Sequence, residues 1–231
     1  MALTGEHQHP DIKIFVSAHK PAVFPEGNSI LPVQVGAAKA AKRFDNTLHD
    51  DEGENISDKN PRYCELTAQY WAWKNEDADY YGFCHYRRYF DFTDTPHQEN
   101  DYGEVIDSYI DSQTIEKYGI NDGDISKAVD GWDVITTPLN DTRRIGGFTN
   151  LKQHWDADRH LRLKDLRHMY DILCARHPDY KADADAVLNG HTAAFCNMFI
   201  MKKDIFFEYN EWLFPLLDEF AEHTDFSKMD V

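Results

Sequence analysis

The sequence predicts an α/β fold, and three observations carry that expectation. Segments with helical spacing alternate with short apolar segments of strand character. One helix-then-strand unit, "PRYCELTAQYWAWKNEDADYYGFCH", follows an opening strand in a β-α-β arrangement. The 231 residues, with 42% hydrophobic and 13% aromatic content, suffice for a substantial core, so a single domain is expected over 1–231, with residues 1–10 disordered.

The elements follow in order. In "DIKIFVSAHK", Ile12, Ile14 and Val16 share one face and Phe15 takes the other, which predicts a buried first strand ending in Ser17, His19 and Lys20 before Pro21. Residues 21–60 carry Pro21, Pro25, Pro32 and the polar run "DNTLHDDEGENISDKN", so they read as a long irregular region with one short element around Val33 to Lys42. "NPRYCELTAQYWAWKN" predicts a helix with Asn60 as N-cap, Pro61 at its first position and Tyr63, Leu66, Tyr70 and Trp73 on one stripe. A strand over Tyr80 to Cys84 then delivers His85, Tyr86, Arg87 and Arg88 at its end.

Further on, "WDVITTP" reads as a buried strand stopped by Pro138, and "NDTRRIGGF" as a glycine-containing loop. "LRLKDLRHMYDILCARHP" has helical spacing up to Pro178, "AAFCNMFIMKK" is one β-like segment, and "DIFFEYNEWLFPLLDEFAEH" is an amphipathic helix kinked or broken at Pro215. There is no internal repeat.

Charge narrows the function classes. With 41 acidic against 24 basic side chains, the formal net charge is -17, a field that repels phosphate backbones and anionic lipid. Nucleic-acid binding and a polybasic anchor are excluded, and any anion site must be local. Cys64, Cys84, Cys174 and Cys196 form no C-x-x-C pair and sit among apolar residues, which predicts reduced, buried thiols and a cytoplasmic protein. The first ten residues lack a signal-peptide layout, and no stretch approaches the roughly 20 apolar residues of a spanning helix.

Against that acidic background, "GFCHYRRYFDF" stands out. Arginine stays charged and its planar fork donates two parallel hydrogen bonds to phosphate, so His-x-Arg-Arg at a strand end suits a diphosphate. On an extended backbone His85 and Arg87 share a face, which makes them the ligand pair and Arg88 a brace. The competing reading pairs these cations with Asp91, Asp94 or Glu65 in a salt-bridge network. His19 and Lys20, at the carboxyl end of the first strand, are placed to touch a ligand or simply solvated. Glu65 in a first helical turn either serves the helix dipole or orients an arginine.

A resemblance adds to this reading. "KIFVSAHK", "ENISDKNPRYCELTAQYWAWKNEDADYYGFCHYRRYF" and "NMFIMKKDIFFEYNEWLFPLL" resemble a bacterial capsular and exopolysaccharide biosynthesis family, catalogued as a domain of unknown function and regarded as glycosyltransferases. The similarity spans about Ile12 to Phe220. Such chains usually continue past "DFSKMDV" into a further arginine- and leucine-bearing helical segment, so a truncated C-terminus is expected.

The resemblance implies a nucleotide-sugar transferase fold of the GT-A type, with helices around a mostly parallel sheet. Many such enzymes end a helix-then-strand unit in Asp-x-Asp, which holds a divalent metal on the donor diphosphate. Here His85-Tyr86-Arg87 occupies the equivalent position, which suggests that fixed cations replace a manganese or magnesium ion; if a metal is used, neutral His85 is a ligand. The donor-binding candidates are His19, Lys20, Gly36, Asn60, Glu65, His85, Arg87, Arg88 and Asn197. Asp183 and Asp185 are candidates for the base that deprotonates an acceptor hydroxyl, and His191 for a contact beside them. The expected reaction moves a hexosyl unit, galactosyl favoured, from a UDP-sugar to a lipid-linked oligosaccharide, with the protein visiting the inner face of the membrane through its substrate. The rival readings are a non-catalytic nucleotide-sugar or glycan-binding module of a synthase assembly, and a phosphate-handling hydrolase with His85 as nucleophile.

Overall fold

A computed structural model describes residues 10–226. The expected disorder over residues 1–10 falls, for residues 1–9, outside them, as does the end of "DFSKMDV". Contacts divide the chain into two units. The first holds the described residues through Pro96 with Asp107–Thr136 and Asn197–Glu208; the second holds His97–Ile106, Thr137–Cys196 and the residues from Tyr209.

The first unit is built on strand β1, Ile12–Ala18, buried on both faces except at Lys13. It pairs in parallel with β2, Ile30–Gln34, on one side and β4, Tyr80–His85, on the other. Between these lie β3, Leu48–His49, parallel to β2, then the short helix α1, Asn60–Tyr63, and α2, Leu66–Asn75. Helices α3, Ser112–Lys117, and α4, Asp122–Val129, precede β5, Val134–Thr136. Strand β8, Phe199–Lys202, runs antiparallel between β4 and β5, and completes the order β3-β2-β1-β4-β8-β5. The sheet is mainly parallel, as a chain of crossover connections requires.

Aromatic packing fixes β1, β4 and β8 to their helices. Phe15 stacks on Phe83 at 5.4 Å and meets Trp71 of α2 edge-on at 6.1 Å. Phe206, at the start of α8 (Lys203–His223), stacks on Tyr81 at 4.4 Å and on Phe83 at 5.4 Å. Such pairs contribute about 0.5–1.5 kcal/mol each beyond the area they bury. The Tyr81 hydroxyl donates to the Glu76 carbonyl and accepts from the Ala78 amide, which holds the turn between α2 and β4.

Several expectations change here. The helix begun at Asn60 is not continuous: Cys64 adopts φ 49°, ψ -129° and separates α1 from α2. The N-cap of α1 is Lys59, and the buried face of α2 is Thr67, Ala68, Gln69, Trp71 and Ala72 rather than a stripe through Tyr70 and Trp73. Pro32 lies inside a strand because β3 pairs only with Val33 and Gln34, leaving no partner that needs a Pro32 amide. β5 is an edge strand with an exposed Val134, and α8 runs unbroken through Pro215. Only Cys84 of the four free cysteines is buried; Cys64 and Cys196 are exposed.

In the second unit, β6, Leu139–Asp141, pairs antiparallel with β7, Thr192–Ala194. It also contains α5, Leu151–Ala157, α6, Leu163–Arg176, α7, Lys181–Asn189, and α8 from Tyr209 onward. "AAFCNMFIMKK" is therefore two strands in two sheets, divided at Cys196, where φ is 69°. Among the described residues no helix is long and apolar enough to cross a membrane.

Gly82 marks the tightest point of the central sheet. It pairs with Ile14 on β1 and Ile200 on β8, and a Cβ there would stand 2.8 Å from Ile14 Cγ1 and 3.1 Å from Ile200 Cγ1. Gly82→Val should cost roughly 1–3 kcal/mol of stability through overpacking, read as a lower denaturant midpoint. An unchanged midpoint would show that the two isoleucines yield freely.

Candidate functional site

The chain leaves β1 toward β2 on one side, and later returns to β4 on the other. The crevice beyond the carboxyl ends of β1 and β4 is therefore a topological switch point, where ligands of α/β sheets bind. His19 follows β1, His85 ends β4, and their rings lie 5.9 Å apart. β4 closes in a tight turn, with the His85 amide donating to the Arg88 carbonyl at 3.1 Å and the Arg88 amide donating back at 2.7 Å. The Tyr86 amide donates to the Ser17 carbonyl, which ties the turn to β1.

This turn corrects the division expected of an extended backbone. Arg87 and Arg88 do not alternate across a strand, and both are exposed. Neither has an ion-pair partner among the described residues: Asp94 pairs with Lys127, Asp91 accepts from Thr93, and Glu65 makes no bridge to either arginine. Arg88 is no brace, and the salt-bridge network does not form. Lys20 is likewise without an ion pair among the described residues.

His85 is not one of the cations. Burial, then the charges of Arg87 and Arg88, pull its imidazole down to about 4, and its Nδ1 is buried without a hydrogen-bond partner. Burial, with Lys20 and Arg87, lowers His19 as well. At neutral pH both rings are uncharged, and the positive charge belongs to Lys20, Arg87 and Arg88.

Beside this turn a cavity of about 440 Å³ is lined by His19, Gly36, Lys39, Lys42, Phe44 and Asn60 among others, none of them acidic. Its wall is set from beneath. Asp50, fully buried, accepts hydrogen bonds from the amides of Gly36 (2.8 Å) and Ala37 (3.0 Å) and from the hydroxyls of Ser57 and Thr67 (2.5 Å each). Gly36 turns the chain at φ 68°, and a Cβ would stand 2.7 Å from Asn60 Oδ1. Asn60 donates to the Cys64 carbonyl and to Thr67, holding the break between α1 and α2 rather than capping a helix. The Gln34 amide, also buried, donates to the Lys42 carbonyl and accepts from the Phe44 amide, so it shapes the far wall.

The remaining donor candidates lie around the same strand ends. Asn197 precedes β8 by two residues, and since Phe199 pairs with Phe83 it stands at the His85 end of the sheet; its amide donates to Gln69 at 3.5 Å. Glu65 is half-buried at the N-cap of α2. The first unit thus brings His19, Gly36 and Asn60 to one cavity wall and Lys20, His85, Arg87, Arg88 and Asn197 to the neighbouring strand ends, while Glu65 stands at the start of α2.

Asp183, Asp185 and His191 belong to the second unit. The two aspartates lie on α7, not in a polar turn. Asp185 accepts from Tyr170 at 2.8 Å and Lys181 at 2.7 Å, and those bonds, Lys181 first, hold its carboxyl below the usual range. Asp183 is exposed, with no such partner among the described residues. The His191 carbonyl accepts from the amide and hydroxyl of Thr142. In the loop after β6, Arg143 is neutralised by a bidentate bond to Asp141.

Sequence reasoning missed Gln34, Asp50 and Tyr86. Asp50 sits beside Asp51 in a polar run, and nothing local separates the buried one from its neighbour, which pairs with Arg43 at the surface. Asp50→Ala orphans two amides and two hydroxyls, so it should cost about 3 kcal/mol or more in denaturant unfolding; a loss under about 1 kcal/mol would mean that the network reconnects without it. His85 prefers its neutral form when folded, so the unfolded chain binds the extra proton between pH 6.5 and about 4 and stability falls as pH drops through that window. Nuclear magnetic resonance should place the His85 titration near 4, and a midpoint near 6.5 would contradict the burial.

Comparison with known proteins bears on what this crevice serves. No curated protein matches the chain. Among solved structures the chain is similar to the apo structure of WbbM, a bifunctional glycosyltransferase, with a TM-score of 0.90 and 35% sequence identity. The match covers 95% of this chain and 39% of WbbM, so the chain spans well under half the length of that relative. The α/β architecture, a mainly parallel sheet flanked by helices, is thus a glycosyltransferase fold. The model for the family described as "Domain of unknown function (DUF4422)" matches residues 13–231, and the chain belongs to that family.

Proposed function

We propose that the chain is a glycosyltransferase that moves a hexosyl unit, galactosyl by preference, from a UDP-sugar to a lipid-linked oligosaccharide in capsule or exopolysaccharide biosynthesis, acting from the cytoplasm at the inner face of the membrane. The observation that carries the reading is the cluster of Lys20, Arg87 and Arg88, without ion-pair partners among the described residues, beside a cavity lined by no acidic residue in a chain of net charge -17. Arginines left unpaired on an acidic protein are available to an anionic ligand.

The nucleoside occupies the cavity, where Gly36 lets the backbone approach, with His19 and Asn60 on the wall. The diphosphate then meets Lys20, Arg87 and Arg88, while neutral His85 offers a hydrogen bond rather than a charge. Glycosyl transfer develops negative charge on the departing diphosphate, and preorganised donors there stabilise the transition state. Glu65 and Asn197, at the same strand ends, are assigned to the transferred sugar. In an inverting displacement a carboxylate takes the acceptor proton; of the second unit's two candidate aspartates, Asp185 is committed to Lys181 and Tyr170, which leaves the exposed Asp183 as the one to test by substitution.

Manganese and magnesium take oxygen ligands, chiefly carboxylates. The end of β4 carries His85, Arg87 and Arg88, with no group of three or more metal-ligating side chains assembled among the described residues. These residues do not fit a hard divalent cation, and the fixed charges take its place.

Purified protein given UDP-galactose should release UDP slowly. UDP binding without release from any UDP-hexose would favour a non-catalytic binding module, and neither binding nor release would sink the donor assignment. Arg87→Ala should weaken UDP binding about tenfold or more, as expected for a charge-assisted bond to phosphate. Chelation by EDTA should leave UDP affinity unchanged, and a loss restored by manganese would overturn the metal-free reading.

A further inference from the structure

The unpaired state of Arg87 raises a question that the donor reading leaves open. A flexible side chain without a carboxylate partner loses conformational freedom when it binds an anion, which weakens binding unless something holds it in place. The candidate holder is Tyr86. The residue is 9% exposed and its amide donates to the Ser17 carbonyl, so strand β1 fixes it. Arg87 Cζ lies 5.2 Å from the ring centroid. The His19 ring meets the same tyrosine edge-on at 5.3 Å and the His85 ring lies 4.3 Å away.

We propose that Tyr86 is a positioning residue for anion binding: its ring holds the Arg87 guanidinium in place for a diphosphate while leaving the charge of that group unneutralised. The distinction from a salt bridge is chemical. A carboxylate would orient the guanidinium but occupy two of its donors and cancel its charge. An aromatic face attracts the cation through its quadrupole and leaves the five N–H donors at the rim free. The neutral His19 and His85 rings complete the support without adding a counter-charge. The role needs the ring and not the hydroxyl.

This inference rests on the donor reading, and a set of variants of the full chain separates the two. Affinities for UDP and for uridine are measured by calorimetry or ligand-observed magnetic resonance, with thermal unfolding as a check of fold. Tyr86→Leu should weaken UDP binding about two- to fivefold, the range of one exposed cation–π contact, and leave uridine unchanged. Tyr86→Phe should bind UDP as the unaltered protein does. In an Arg87→Ala background, Tyr86→Leu should have no further effect on UDP. The proposal is overturned if Tyr86→Leu binds UDP normally, if it weakens UDP and uridine equally, or if its effect adds fully to that of Arg87→Ala. If the unaltered protein binds no UDP, or Arg87→Ala binds it undiminished, the donor reading itself fails. If Tyr86→Leu does not fold, Tyr86→Met takes its place with the same expected outcomes, and loss of UDP affinity in Tyr86→Phe would refute a ring-only role.

Discussion

The buried side chain of Asp50 is the interaction on which the wall of the first unit's cavity depends. A polar group so far from water is tolerated only where hydrogen bonds replace its hydration, and Asp50 accepts four: from two amides of the Gly36–Ala37 turn, Ser57 and Thr67. Those donors come from the end of β2, from the turn before α1 and from α2. One side chain therefore ties two segments that sequence alone leaves irregular to a helix that it marks. Gly36 at φ 68° and the break at Cys64 are local departures from regular geometry that this network sustains. Both shape the cavity wall.

Charge is organised on the opposite principle. Several lysines and arginines are ion-paired: Lys13 with Glu76, Arg43 with Asp51, Arg143 with Asp141, Lys202 with Asp133. At the ends of β1 and β4, Lys20, Arg87 and Arg88 have no ion-pair partner among the described residues and stand beside two imidazoles that burial and those same cations keep neutral. Exposed ion pairs contribute little stability, so leaving three cations unpaired costs the fold little. What it provides is a local positive field inside a strongly negative molecule.

Much of the strand architecture was legible beforehand, because its signals are local. The alternation in "IKIFVSA" marks β1, which stops at Ala18 short of the expected His19 and Lys20, and the turn residues before "DYYGFCH" mark β4 to within a residue. Legibility failed where the deciding partner is distant in sequence. Pro32 argued against a strand, yet β2 forms because β3 leaves the Pro32 position unpaired. Asn60 read as a cap, yet its amide closes onto Cys64 and Thr67 instead. Helices α3 and α4, in a polar stretch of weak periodicity, gave no strong pattern; Asp122 within it accepts bonds from Asn28 and Ser29, some ninety residues earlier.

Composition and pattern by themselves determined the α/β class and placed the arginines of "HYRR" at the end of a strand. These follow from hydrophobic periodicity and from charge, which the chain displays without folding. Tertiary structure decided which of the charged groups remain charged and which are free. His85 lost its charge through burial beside two arginines, Arg88 lost its expected partner because the backbone turns at Tyr86, and Asp50 became structural because three segments converge on it. Each outcome depends on desolvation and on neighbours brought close by the fold, and neither is written in local order along the chain.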